Sequence, residues 1–247
     1  MKSFFTLLKN ESKLSIRDMN MVIFAVIMPF VILVVLGFVY GTKPAFSGAS
    51  YSFMEQSFGA VCAVSMCAGG LMGLPLVVAD YRERKILKRF RVTPIRPAML
   101  LGVELAIYIG YCIVSLLTVA VGAGIFWNVR LYGSLFAFLG SWLLTMLSTL
   151  SIGMLVGGLA KNSKQAGVIA SLLYFPMLVF SGTTLPIEAM PEAMQKIVGC
   201  FPLTQGIHLM KSTFLGVEVR NIWFPVLIMA VVTIVCTGAA VWFFKWE

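Results

Sequence analysis

Six long apolar runs limit what this chain can fold into. Crossing the hydrocarbon core of a bilayer as a helix takes about 20 mostly apolar residues, and six stretches have a length near that value. They are Met21–Tyr40, Ser57–Ala79, Leu100–Trp127, Gly133–Leu159, Gly167–Leu185 and Ile222–Phe244. The fifth is the shortest and contains Pro176, so we expect it to be irregular. The sequence predicts an all-α integral membrane protein, with six transmembrane helices in one domain over residues 1–247.

The distribution of charge predicts the orientation. Hydrophobic residues make up 60% of the chain and charged residues 12%, a balance that excludes an ordinary soluble domain. The net charge of +9 is typical either of nucleic-acid binding or of basic cytoplasmic loops. Fourteen of the 19 Lys and Arg residues lie on one side of the predicted spans, and basic loops stay in the cytoplasm. We therefore expect both termini in the cytoplasm, an uncleaved first span and no nucleic-acid partner.

Two segments are predicted to lie at the membrane surfaces. Met1–Asp18 has an apolar stripe at helical spacing with cations elsewhere, which is typical of an interfacial helix that contacts anionic lipid. An ordinary cytoplasmic tail is the alternative. Residues 186–216 are too polar to span and too apolar for a solvated loop. Their spacing predicts two short amphipathic helices on the outer face, surface-lying or re-entrant, with a break at Pro202.

Groups that carry catalysis are scarce in the sequence. There is no GxxxxGK[ST] loop for a nucleotide phosphate, and His208 is the only histidine. The five cysteines form no CxxC pair, and four lie inside apolar runs, where cysteine behaves as a small hydrophobic residue. The sequence therefore predicts no catalytic residue, no metal site and no cofactor bound by this chain.

Glycine pairs and one acid stand out within the spans. Gly69–Gly73 and Gly153–Gly157 have the GxxxG spacing that lets helices approach closely. Packing within one chain is the favoured interpretation, and a seam between subunits is the alternative. Glu104 lies a few residues into the third run. We expect it to pair with an arginine of the preceding loop rather than to serve in a proton relay.

The loop Asp80–Pro97 is the most informative stretch, reading DYRERKILKRFRVTPIRP. A loop whose only role is to fix the orientation of the spans in the membrane needs nothing more than positive charge. This one also places Ile86, Leu87 and Phe90 on one side of a predicted short helix, which ends before Pro94. Such a helix at the membrane surface suits docking into the groove of a partner protein.

This loop resembles that of permease subunits of type-2 ATP-binding-cassette exporters, which commonly reads RERGTLKRLRVTPISP. Here residues 82–97 read RERKILKRFRVTPIRP, with Lys85 for the usual glycine and Ile86 for the usual threonine. A second match is SGTTLPIEAMP at residues 181–191, which looks like the family's segment with the pattern SG…..P…MP. It is followed by Phe201-Pro202-Leu203-Thr204, similar to the family's PLT element.

The resemblance implies a translocation subunit without its own ATPase site. Two permease subunits, identical or different, would form the pathway, and cytoplasmic partner subunits would bind ATP and Mg²⁺. The loop would couple these partners to the spans, with a smaller contact from Lys161–Gln165. The implied coupling residues are Glu83, Arg84, Leu87, Phe90, Thr93 and Pro94. The implied outer re-entrant residues are Ser181, Gly182, Pro186, Pro191 and Pro202.

The resemblance also implies export of a drug, antimicrobial peptide, lipid or glycan. The simple six-span organisation of the chain suggests a bacterial plasma membrane. The few charges along the spans favour a hydrophobic or amphipathic molecule. One alternative is a membrane-embedded enzyme acting on lipids, which would need clustered acids or histidines at a membrane surface. Another is a channel, which would need polar stripes along the spans. Copurification of an ATPase separates the permease from both alternatives.

Overall fold

The computed structural model describes residues 2–41, 43–46, 48–86, 97–181, 191–217 and 222–243. Within them we label the helices α1 Lys2–Arg17, α2 Met19–Tyr40, α3 Phe53–Glu83, α4 Pro97–Trp127, α5 Leu135–Leu159, α6 Ser163–Phe180, α7 Glu192–Val198, α8 Pro202–Leu215 and α9 Trp223–Phe243. Six of these, α2 to α6 and α9, are long and apolar enough to cross a membrane. The predicted all-α fold with six transmembrane helices is confirmed.

The helix α3 forms the centre of the bundle. In its most apolar stretch 83% of the residues are buried within the chain, against 17% in both α6 and α9. Its 31 residues extend about 46 Å at 1.5 Å per residue, whereas the hydrocarbon core is about 30 Å thick. Because α3 is longer than the core, it extends beyond the hydrocarbon.

Large apolar side chains cover the outside of the bundle. Phe38 on α2 is 84% exposed and Trp242 on α9 is 85% exposed. Exposed apolar side chains of this size are costly in water, but they carry no such cost against lipid tails. This surface, together with the six apolar helices, identifies a multi-pass membrane protein.

The second and fifth spans differ from their predicted bounds. The second runs Phe53–Glu83 instead of Ser57–Ala79, because polar residues extend the helix at both ends. At its start, the Ser52 hydroxyl oxygen accepts from the Glu55 N–H at 3.2 Å, and the Glu55 carboxylate accepts from the Ser52 N–H at 2.7 Å. The fifth span ends at Phe180, earlier than the predicted Leu185.

The helix α8 is inserted into the bundle near the predicted outer end. Its apolar stripe is fully packed, because Leu203, Ile207, Met210 and Phe214 are all at most 6% exposed. The Phe214 ring stacks on that of Phe58 at 4.5 Å between centroids. The two short helices predicted in this region thus exist as α7 and α8, and α8 packs against α3 and α5 rather than lying on the surface.

The N-terminal helix α1 packs along α4. Its Leu7 is only 8% exposed, while Phe5 and Leu14 of the same helix are exposed. The hydroxyl groups of Ser15 and Tyr111 lie 2.8 Å apart and join the two helices by a hydrogen bond. One face of α1 is therefore held against the bundle, and apolar side chains remain available on another.

All four GxxxG glycines lie at contacts between helices of this chain. A Cβ at Gly153 of α5 would overlap the carbonyl oxygen of Gly70 in α3, and a Cβ at Gly157 would crowd Val78. A Cβ at Gly69 or Gly73 would meet the ring of Tyr108 on α4. In α3 these glycines belong to a wider π-helical segment, Cys67–Gly73.

Candidate functional site

Three consecutive residues at the end of α3 bind four other helices or their termini. Tyr81 contacts α1 and α4, Arg82 contacts the end of α5, and Glu83 contacts the start of α6. Successive side chains of an α-helix point about 100° apart, which is why three neighbours reach different elements. We call Tyr81, Arg82 and Glu83 the α3 hub. It lies at the predicted cytoplasmic end of the bundle.

Arg82 binds the carboxyl end of α5. Its guanidinium donates from Nη1 to the carbonyl oxygens of Gly158 at 2.9 Å and Ala160 at 2.8 Å. The last carbonyls of a helix have no partner within the helix and carry the negative end of its dipole. A cation at this position therefore satisfies backbone acceptors and stabilises the helix end.

Glu83 binds the amino end of α6 in the complementary way. Its Oε2 accepts a hydrogen bond from the Ser163 N–H at 2.9 Å. Asn162 caps the same helix, accepting from the Gln165 N–H at 2.8 Å, and Gln165 in turn accepts from the Lys161 N–H. A carboxylate at the amino end of a helix is stabilised by the positive end of the helix dipole. The α3 hub thus joins the α5–α6 loop to the end of α3 through both of its helix termini.

Three alanines allow this close approach. Ala79 of α3, Ala160 after α5 and Ala166 of α6 are each 0% exposed and form a small apolar cluster of their own. Small side chains bring the backbones near enough for Arg82 and Glu83 to reach their partners. The loop is therefore held by packing as well as by polar contacts.

The chain turns sharply just after the α3 hub. Arg84 pairs with Asp80 on its own helix at 2.8 Å, an exposed pair that contributes little to stability. Lys85 has φ 55°, in the left-handed region that glycine adopts most easily. This is the position where the resembling loops carry glycine, so lysine here retains the backbone turn that glycine would favour.

The family profile described as ABC-2 type transporter matches residues 2–215. This stretch covers all of the described helices except α9. The chain belongs to the ABC-2 type transporter family. The resemblance to permease subunits of this family, inferred from the loop after the second span, is confirmed.

Curated relatives agree with this family. The inner membrane transport permease YhhJ of Escherichia coli is 26% identical over 178 residues, covering 67% of this chain and 46% of the relative. Nodulation protein J of Rhizobium leguminosarum is 30% identical over 92 residues, covering 37% and 36%. The capsule polysaccharide export inner-membrane protein CtrC of Neisseria meningitidis is 26% identical over 121 residues, covering 48% and 45%. The matched stretch spans less than half the length of each relative.

Only part of the predicted coupling set lies within the described structure. Glu83 and Arg84 are at the end of α3, where Glu83 binds α6 and Arg84 binds its own helix. Leu87, Phe90, Thr93 and Pro94 lie outside the described residues. Their docking role stays a prediction.

The predicted outer element is likewise described in part. Ser181 is fully buried and ends α6, donating its N–H to the Met177 carbonyl at 3.1 Å. Pro191 precedes α7, and Pro202 opens α8. Gly182 and Pro186 lie outside the described residues, so a re-entrant path between them stays a prediction.

Glu104 has a different described partner from the one expected. Its Oε1 accepts a hydrogen bond from the Tyr81 hydroxyl at 2.7 Å, and the residue is 3% exposed. The described arginines of the preceding loop bind elsewhere: Arg82 contacts the end of α5, and Arg84 contacts Asp80. The expected pairing is therefore wrong for these two arginines, whereas those at positions 89, 91 and 96 lie outside the described residues.

Sequence reasoning missed Tyr81, Arg82 and Glu11 as contact residues. Arg82 bonds to backbone carbonyls, which every residue type has, so no pattern marks its acceptors. Tyr81 and Glu11 are 70 positions apart, and nothing local connects them. Among the described residues no group of three or more His, Cys, Asp or Glu side chains is arranged to hold a metal ion.

Proposed function

We propose that this chain is the permease subunit of an ATP-driven exporter in a bacterial plasma membrane, with both termini in the cytoplasm. It would work with cytoplasmic ABC ATPase subunits, which bind ATP and Mg²⁺, and with a second permease subunit, identical or different. The cargo would be a hydrophobic or amphipathic molecule, such as a drug, antimicrobial peptide, lipid or glycan. Family membership supports the ATPase partner, because ABC transporters are driven by such subunits.

The binding of the α5–α6 loop by Arg82 and Glu83 is the observation that best supports coupling. The loop after α3 and the α5–α6 loop are the two places where the resemblance expects ATPase contact. Residues at the end of α3 hold both helix termini of the α5–α6 loop. A partner that pushes on either loop would therefore move both. Since α3 is the most buried span, that push would enter the centre of the bundle.

The names of two relatives support a transport function, and one of them supports export. CtrC is described as a capsule polysaccharide export protein, and YhhJ as a transport permease. The membrane-embedded lipid-modifying enzyme is the less favoured alternative, since the chain belongs to a transporter family.

A test begins with the tagged chain in its native membrane. We expect an ATPase subunit to copurify in mild detergent, and the complex in proteoliposomes to move an amphipathic fluorescent probe only with ATP. The isolated chain should hydrolyse no ATP. Robust hydrolysis by the isolated chain, or transport without ATP, would exclude the proposal.

Two neighbouring arginines provide a matched pair for the coupling step. Arg82→Ala removes the contacts with the end of α5, whereas Arg84→Ala removes only the exposed pair with Asp80. We expect Arg82→Ala to lower transport per ATP at least about fivefold, a usual size for coupling between sites, and Arg84→Ala to lower it much less. Equal effects of the two variants would show that loop charge alone matters.

A further inference from the structure

The Tyr81 hydroxyl lies between two carboxylates from different helices. Its oxygen is 2.7 Å from Oε1 of Glu104 on α4 and 3.1 Å from Oε2 of Glu11 on α1. Glu104 is nearly inaccessible at 3% exposure. The helices α1, α3 and α4 therefore meet at a single hydroxyl group.

One phenol has one hydrogen to donate, while each carboxylate oxygen is an acceptor. The hydroxyl therefore cannot make a full hydrogen bond to both carboxylates at once. The shorter distance belongs to Glu104, so the contact with α4 is the better formed of the two. Tyr81 thus holds α3 to α4 directly and to α1 through a longer, weaker contact.

The helices α1 and α4 already form one unit without Tyr81. Leu7 of α1 is buried in the core, and Ser15 of α1 is hydrogen bonded to Tyr111 of α4. Tyr81 lies one residue before Arg82, which binds the end of α5 on another side of α3. The α3 hub therefore has two arms. Arg82 and Glu83 reach the α5–α6 loop, and Tyr81 reaches the α1–α4 unit.

We propose that Tyr81 is a positioning residue that makes the α1–α4 unit follow the end of α3 during transport. This inference rests on the proposed function, since it needs a partner that moves α3. The interfacial helix α1 then becomes a moving part of the permease. Glu104 on α4 is the residue that accepts the hydrogen bond from Tyr81. The acid inside the third span has a mechanical role in this arrangement.

The test compares Tyr81→Phe with Tyr111→Phe in the complete complex in proteoliposomes. Each variant removes one hydroxyl group and keeps the ring. The first removes a hydrogen bond between α3 and the α1–α4 unit, and the second removes a hydrogen bond inside that unit. We expect Tyr81→Phe to lower transport per ATP on the order of fivefold or more and Tyr111→Phe to change it less than about twofold.

A distance measurement separates positioning from general loss of structure. Spin labels at K9C on α1 and K161C in the α5–α6 loop, both exposed sites, report the distance between the two arms in a background with the five native cysteines replaced by serine or alanine. With native Tyr81, the distribution of this distance should stay narrow when a non-hydrolysable ATP analogue is added. Tyr81→Phe should broaden or shift it under the same conditions.

Three results would overturn the inference. These are a native transport ratio in Tyr81→Phe, an equal loss in Tyr111→Phe, and an unchanged distance distribution in Tyr81→Phe. Failure of the native complex to couple transport to ATP would instead reject the proposed function. Because that outcome is read from the native complex alone, the two failures are distinguishable.

Discussion

Gly153→Ala tests how tightly α3 and α5 must pack. A Cβ at this position would overlap the carbonyl oxygen of Gly70 and lie 3.3 Å from Cδ of Pro75. Ordinary contacts between heavy atoms are about 3.5–4.0 Å, so the two helices would have to separate. Because the obstacle is backbone rather than the end of a flexible side chain, rotamer changes cannot relieve it. Overpacking of this kind costs about 1–3 kcal/mol.

Gly140→Ala is the matched control on the same helix. A Cβ at Gly140 meets nothing within 4 Å. Replacing a helical glycine with alanine favours the helix by up to about 1 kcal/mol, and this gain is common to both variants. The difference between the two variants therefore isolates the steric cost of about 1–3 kcal/mol. At roughly 2–4 °C per kcal/mol for a chain of this size, it corresponds to a Tm difference of about 2–12 °C.

The assay is thermal unfolding of the purified chain in detergent, with size-exclusion chromatography to follow its oligomeric state. We expect Gly153→Ala to unfold at the lower temperature. Equal melting temperatures would refute the packing argument. Equal stability with loss of a dimer would instead show that the glycine pair forms a seam between subunits.

Three further predictions concern the turn, the orientation and the docking loop. Lys85→Gly should retain stability, whereas Lys85→Val should lower the Tm by about 2–5 °C because branched residues are strained at φ 55°; a Lys85→Val protein as stable as the native one would contradict this. A cysteine replacing Ser3 should resist impermeant thiol reagents in intact cells, and its labelling would contradict the cytoplasmic N-terminus. Phe90→Ala should loosen the ATPase partner or uncouple transport more than Arg89→Ala, since apolar anchors carry interface energy and exposed charges mainly steer encounter; normal pull-down and coupling in Phe90→Ala would refute it.

The sequence predicts the helices well because their signals are local. Six apolar runs of sufficient length identify the six spans, and 3.6-residue periodicity identifies α1, α7 and α8. The ends of the spans were less predictable. Ser52 and Glu55 cap the second span at a point earlier than the start that hydropathy alone predicts. The depth of α8 was also not predictable. An apolar stripe specifies that one face is covered, but not whether lipid or protein covers it.

The contacts of the α3 hub depend on long-range geometry that sequence patterns do not carry. Tyr81 and Glu104 are 23 positions apart, and Arg82 and Gly158 are 76 apart. A row of polar residues along α5 also has to be explained by its contacts. Ser141, Thr145 and Thr149 are buried, and their hydroxyl groups donate to carbonyls of their own helix. Hydroxyl groups satisfied in this way pack between helices, so the stripe is not evidence for a channel.

The helix α3 is held at both ends, and this limits how it can respond to a push. At the predicted outer end, Glu55 accepts from the N–H groups of Ser52 and Arg130, which joins α3 to the segment between α4 and α5. At the other end, the α3 hub holds the α5–α6 loop. A helix anchored at both ends cannot simply slide, so movement at one end must be taken up between the anchors. The π-helical segment Cys67–Gly73 lies there, and its Gly70 contacts the backbone of α5. Because π-turns and glycines are where helices bend most readily, we expect the displacement of the loops to become a bend of α3 inside the bilayer.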